Sequence, residues 1–246
     1  MTDPGSVISY GGGVNSTALA VLLYGEGLRP PVVFADPGGE YPETYAYLDY
    51  FDKWLSTFGS KIVRLNPGSE FHRGRALKAL EDYCLSRGII PIMAFRWCST
   101  EWKREPVTRW RKAVGIRKCL IAISSEERHR MFASCAENEY PLVDRGIDRA
   151  ECERIISRAG LELPRKSGCF FCPYQRNSEW RRMWASDIGL WIRANAMEAA
   201  ATAKMGYPVA LRPDGITMGQ MQNAFENQQE LPLDCGERFD CYMCHT

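Results

Sequence analysis

Ser9-Tyr10-Gly11-Gly12-Gly13-Val14-Asn15-Ser16-Thr17 is the stretch that decides how this chain folds and where a ligand goes. It follows the β-prone run Val7-Ile8-Ser9-Tyr10. It leads into residues 16–24, where Leu19, Leu22 and Leu23 fall at the helical spacing i, i+3, i+4. A strand, a glycine turn and a helix therefore succeed one another within twenty residues. The three glycines let the backbone turn tightly and approach a ligand without Cβ clashes. The helix start offers N–H groups without intrahelical acceptors and a positive dipole end, to which Ser16 and Thr17 add hydroxyl donors. That combination is a phosphate cradle. No Lys follows the glycines, so it is not a Walker A loop, nor is the spacing G-x-G-x-x-G. The alternative is a glycine-rich turn that binds nothing.

Outward from this loop the alternation continues. Val32-Val33-Phe34-Ala35 reads as a second strand, closed by the turn Asp36-Pro37-Gly38-Gly39. Pro42 opens a helix whose Leu48, Phe51, Leu55 and Phe58 form one apolar stripe. Ile62-Val63-Arg64-Leu65 makes a third strand; a helix is expected over 76–86 and strands over 89–93 and 120–123. Repeated βα units predict an α/β fold, a parallel sheet sandwiched by helices. Past residue 140 the texture changes. A helix is expected over 148–159, a single long helical region over 179–205, and a polar, cysteine-bearing tail from 227. We read a nucleotide-binding core at 1–140 and a mainly helical, cysteine-rich extension at 141–246. Trp180, Trp184 and Trp191, interleaved with Arg181, Arg182 and Arg193, suit either a nucleic-acid surface or a packed helix face. Their spacing i, i+4, i+11 favours packing.

The 246 residues are 45% hydrophobic and 25% charged, which excludes disordered, collagenous and coiled-coil chains. A net charge of +1 gives no global field toward nucleic acid or membrane. No run approaches the roughly 18 apolar residues of a spanning helix. The opening Met1-Thr2-Asp3-Pro4-Gly5 lacks the basic and apolar regions of a signal peptide, so a cytoplasmic chain with no membrane partner is expected. The ten cysteines are the compositional oddity. Disulfide frameworks belong to short secreted chains, whereas Cys169/Cys172 and Cys241/Cys244 stand at C-x-x-C spacing and Cys98 lies in a basic stretch. A metal or iron–sulfur site is the preferred reading. A zinc site built from the two C-x-x-C pairs is its rival, and thiols without metal are the third possibility.

The glycine loop resembles the PP-loop (Ser-Gly-Gly-x-Asp-Ser) of the adenine-nucleotide α-hydrolase-like superfamily, with Gly12, Gly13 and Ser16 in register. Gly11 stands in place of the first Ser, and Asn15 in place of the Asp. Three further segments are similar to the phosphoadenosine-phosphosulfate-reductase-like branch, in its phage-type form: Phe34 to Thr44, Arg96 to Pro106, and Ile123 to Arg130. Pro164 to Pro173 resembles the metal-binding Cys-x-x-Cys-Pro of those phage-type members.

The resemblance implies a Rossmann-like PP-loop fold and an ATP pyrophosphatase-like enzyme. Such an enzyme binds ATP with Mg²⁺ and attaches AMP to an acceptor with release of pyrophosphate. Gly11, Gly12, Gly13, Asn15, Ser16 and Thr17 would hold the phosphates. Phe34 and Asp36, at the carboxyl edge of the sheet, would meet the adenosine. Ser16, Lys103 and Arg130 would act on the reacting phosphate, the two cations through charge-assisted bonds. Cys98, Cys169 and Cys172 would carry a 4Fe–4S cluster. Cys244 is the chosen fourth ligand, because related phage-type chains also end in a cysteine near the terminus. That set points to sulfur transfer, such as thiolation of a nucleic-acid or small-molecule acceptor, with a sulfur-donor protein as partner. Two alternatives stand beside it. One is a PAPS/APS-type reductase, although there is no Cys-Cys pair and His245 beside Cys244 is all that echoes a catalytic tail. The other is a nucleotide- or nucleic-acid-binding protein with a zinc-stapled tail and no turnover.

Overall fold

Alternating apolar residues build the centre of the molecule. In chain order the elements are β1 (Ser6–Ser9), α1 (Val14–Gly25), β2 (Val32–Ala35), α2 (Pro42–Ser56) and β3 (Ile62–Leu65). A two-stranded hairpin, β4 (Phe71–His72) and β5 (Arg75–Ala76), follows, then α3 (Leu80–Arg87) and α4 (Trp97–Ser99). The latter runs through one π turn, Thr100–Arg104, into α5 (Glu105–Ala113). Next come β6 (Lys118–Ile121), a 3₁₀ turn (Ser125–Arg130), β7 (Asn138–Glu139), α6 (Pro141–Asp144) and α7 (Arg149–Arg158). The chain ends with α8 (Asn177–Ser186), α9 (Ile188–Met205) and α10 (Met218–Glu226). The structure, a computed structural model, describes residues 5–66, 71–72, 75–76, 78–131 and 136–232.

Five strands form one parallel sheet in the order β3-β2-β1-β6-β7. The period-2 rule sorts their side chains. Ile8, Val32, Phe34 and Leu120 face one core, shared with α1, α2 and α7. Val7, Val33, Ala35, Cys119 and Ile121 face the other, closed by Val107 of α5 and Val143 of α6. Both faces are apolar because helices cover both, as the alternation predicts. Leu48, Phe51 and Leu55 of the α2 stripe are fully buried, each worth about 1.5–3 kcal/mol of transfer free energy. A further apolar cluster joins α3 to α8, α9 and α10 through Leu80, Cys84, Phe170, Phe171, Trp180 and Trp191.

Several local expectations shift. The helix expected over 76–86 starts at Leu80, whose N–H donates to Pro37 O at 2.8 Å, because β5 takes residues up to Ala76. Residues 89–93 form no strand. Gly88 in the left-handed conformation (φ 57) closes α3, Ile89 N bonds back to Cys84 O, and Ile90 packs into the helical cluster. The apolar run there was a core signal, not a sheet signal. The long helical region is two helices, broken at Asp187, whose side chain caps Leu190 N at 3.2 Å. Trp180 and Trp191 are buried and Trp184 packs on Phe225, so this tryptophan face is packing. No helix among the described residues is long and apolar enough to cross a membrane.

Candidate functional site

The strand order reverses direction at β1, with β2 on one side and β6 on the other. In open parallel sheets such a reversal leaves a crevice at the carboxyl ends of the two strands. A cavity of about 420 Å³ opens there, walled by Ser9, Gly11, Gly13, Asn15 and Ser16 from β1 and its loop, and by Ala122 just after β6. Gly12 holds φ +72, and a Cβ on it would fall 3.2 Å from Thr44 Cγ2, so glycine is needed for both conformation and space. Gly13 is the N-cap of α1. It makes no side-chain cap, and the first turn carries no acidic residue, so no carboxylate competes for the first-turn N–H groups. Ser16 Oγ donates to Gly13 O at 3.1 Å and accepts from Gly11 N at 3.3 Å, pinning the loop to the helix.

The other nominated residues divide. Thr17 is fully buried and shares a 3.0 Å hydrogen bond with the Tyr10 hydroxyl, so its hydroxyl serves the core and not the cavity. Phe34 is likewise a core residue. Asp36 closes its turn, accepting from Gly38 N at 2.7 Å and from the Tyr45 hydroxyl at 2.8 Å. Arg130 has a side chain only 2% exposed and pairs with Glu127 at 2.6 Å; its Nε and Nη2 have no hydrogen-bond partner. Lys103 pairs with the buried Glu40 at 2.9 Å and lines a different cleft. The cations that wall the phosphate-sized cavity are instead Arg149, the first residue of α7, and Lys166. The sequence reading missed both. Lys166 Nζ donates to Glu179 at 2.7 Å and to Tyr174 O at 3.4 Å. Among the described residues no carboxylate walls this cavity, so the residues present do not fit the usual protein-held Mg²⁺ site, which carries one or two carboxylates.

Cys98 and the Cys169/Cys172 pair, which are far apart in sequence, do come together on one cleft of about 530 Å³. Pro37, Leu80 and Ile92 form its apolar wall, and Arg96 and Lys103 supply its charge. Residues 168–170 are held against 39–41: Phe170 N donates to Gly39 O at 3.0 Å and Tyr41 N to Gly168 O at 3.1 Å. A smaller cavity of about 260 Å³ shares Lys166 and Ser167 with the glycine-loop cavity, and Cys169 and Cys172 with the cysteine cleft. One segment, 166–172, is thus a wall common to both. Burial pushes the Cys98 thiol up, while Lys103, its backbone contacts and Arg96 pull it partly back. Burial pushes Cys84, beside it, up to about 12, and Cys84 packs in the helical apolar cluster. In kind, three thiols beside two cations suit a soft, thiolate-bound metal. No group of three ligating side chains among the described residues already surrounds one point. Cys244, the proposed fourth ligand, and Cys241, used by the zinc alternative, lie outside the described residues, as does His245.

No protein-family model matches the chain, and no curated protein matches it. Solved structures do. One is a phosphoadenylyl-sulfate (PAPS) reductase from Candida auris in a phosphate complex, at 14% identity and a TM-score of 0.43. That match covers 68% of this chain and 81% of the other.

In chemical terms the two clefts differ and adjoin. The first offers backbone donors, a helix N-terminus and two cations, the donor set for a polyanion such as a di- or triphosphate. The second offers an apolar wall, sulfur nucleophiles or ligands, and two cations. A group bound across segment 166–172 would have its phosphates in one and its reactive partner in the other.

Proposed function

We propose that this protein is an adenine-nucleotide enzyme that binds ATP with its triphosphate on the glycine loop and transfers AMP to an acceptor held in the cysteine cleft. The observation that carries the reading is the cavity at the strand-order reversal. It is floored by Gly11, Gly13 and the first turn of α1, walled by Arg149 and Lys166, and free of lining carboxylates. An oxygen of the acceptor attacks the α-phosphorus, the bond to the β-phosphate oxygen breaks, and pyrophosphate leaves with the electron pair. Fixed N–H dipoles and the two cations stabilise the charge that develops on the leaving group. The loop lacks the lysine that accompanies γ-phosphate chemistry in Walker loops, which favours cleavage between α and β.

Cys98, Cys169 and Cys172, with Cys244, would hold a 4Fe–4S cluster in this reading. Thiolate-held iron there would supply a soft site for sulfur, and a sulfur-donor protein would be the partner that brings it. The acceptor class is a nucleic acid or a small molecule with a carbonyl-type oxygen. Incubation with labelled ATP and candidate acceptors tests the reaction: AMP and pyrophosphate are expected, and release of ADP and phosphate instead overturns it.

A further inference from the structure

We infer that Arg149 is the phosphate-binding cation of the glycine loop, and that Asn15 is a positioning residue that holds it over the cavity. The inference rests on the phosphate reading of the cavity and names the side chain that supplies its charge.

Arg149 comes from α7, which packs along α1, so the two helix starts meet at the cavity. Its backbone N–H donates to Glu126 Oε2 at 3.0 Å, fixing the start of α7 against the 3₁₀ turn after β6. Its guanidinium is aimed by two contacts: Nε donates to Glu153 Oε1 at 3.1 Å, and Nη1 to Asn15 Oδ1 at 3.2 Å. Asn15 is held in turn, since its Nδ2 donates to Glu127 Oε2 at 3.2 Å. Glu127 is anchored by the Ser124 hydroxyl at 3.3 Å and by Arg130 at 2.6 Å. The chain of contacts runs from the buried Arg130 outward to Arg149 without a gap. Among the described residues Nη2 of Arg149 has no partner, and Arg149 walls the cavity, where a guanidinium suits a phosphate oxygen.

The same network explains why position 15 is an amide. The Asn15 amide donates to Glu127 and accepts from Arg149 at once, which an ionised carboxylate cannot do. A carboxylate there would meet Glu127 at about the same separation with no proton between them. It would also neutralise Arg149 from inside a cavity built for anions. Asn15 thus adds no second carboxylate to Arg149, which already pairs with Glu153 at 3.1 Å.

Titration of the full chain with inorganic pyrophosphate, ATP and adenosine, followed by calorimetry, tests the inference. Arg149→Ala should weaken pyrophosphate and ATP by about tenfold or more, the loss of a charge-assisted contact. Binding of adenosine, which has no phosphate, should be unchanged. The salt dependence of pyrophosphate binding should flatten, and Arg149→Lys should recover part of the loss. Asn15→Ala should weaken pyrophosphate by about threefold in the wild-type background and have no further effect in the Arg149→Ala background, as expected when one residue acts through the other. Pyrophosphate binding by Arg149→Ala within twofold of wild type overturns the role of Arg149, and additive losses at the two positions overturn that of Asn15. Wild-type protein that binds neither pyrophosphate nor ATP overturns the phosphate reading itself.

Discussion

Substituting Gly39 by alanine puts one methyl group where the structure has no room for it. Gly39 lies between β2 and α2, on the segment that pairs with Phe170, and its φ is outside the left-handed region, so the cost is steric and not conformational. An added Cβ would stand 2.5 Å from Phe171 Cε1 and 2.8 Å from Cζ, against a favourable carbon–carbon separation of about 3.5–4.0 Å. The ring cannot easily move. Phe171 is fully buried and packs edge-on against Phe170 with centroids 4.8 Å apart. Overpacking of this kind costs about 1–3 kcal/mol. For a chain of this length each kcal/mol lowers the melting temperature by about 2–4 °C, so a fall of about 2–12 °C is expected. Phe171 lies between Cys169 and Cys172, so its displacement also moves the two thiols and, under the cluster reading, should lower metal content. Thermal unfolding followed by circular dichroism measures the effect. Gly168→Ala is the control, because a Cβ on Gly168, on the facing strand of the same pairing, meets nothing within 4 Å. Its melting temperature should be unchanged or slightly raised. A Gly39→Ala protein that melts within about 1 °C of wild type would show that the Phe170–Phe171 packing yields freely, and the steric argument would be wrong.

Three other perturbations have defined outcomes. Glu198 is buried between α9 and α10, where its two oxygens accept from Leu211 N and Met218 N, each at 2.7 Å. Burial raises its carboxyl from 4.5 to about 7 in spite of those bonds. The folded state therefore holds the proton more tightly than the unfolded chain does. The contribution is fully present below about pH 4.5 and is lost as pH rises through about 7, a swing of up to about 3 kcal/mol. Denaturant melts of wild type and Glu198→Gln from pH 4 to 8 should show the wild type losing stability relative to the variant; parallel curves would exclude the effect. Ser16→Ala removes the bond to Gly13 O and the acceptor for Gly11 N, so ATP affinity should fall severalfold with little change in melting temperature. An unchanged Kd would place the triphosphate elsewhere. Cys98→Ser should reduce iron and sulfide in anaerobically purified protein under the cluster reading and leave the metal untouched under the zinc reading. A colourless wild-type protein with one zinc and no sulfide would reject the cluster.

The parts of this protein that were legible in its sequence are those set by local chemistry. The continuous apolar run Val32–Ala35 matched β2, because a strand buried on both faces has nothing else to encode, and Ile62–Leu65 matched β3. Pro42 at the first turn and the Leu48–Phe51–Leu55 stripe marked α2, and Gly12 marked the one turn of the loop that no side chain fits. The motif order along the chain placed Cys98, Cys169 and Cys172 on one cleft. What was not legible depends on contacts across long separations. Arg149 reaches Asn15 from 134 residues away, and nothing in its neighbourhood distinguishes it from the other arginines of α7 until that helix packs on α1. Lys166 meets the cavity only because residues 168–170 pair with 39–41. Conversely, Thr17 and Phe34 stand at the right place in the chain for a ligand, yet their side chains are drawn into the core, since facing direction in a packed sheet is decided by which neighbours exclude water. The sequence determined the scaffold and the cradle through propensity and period. Tertiary packing decided which cations stand at the glycine loop, because a charge reaches a cavity only when the fold brings its helix or segment there.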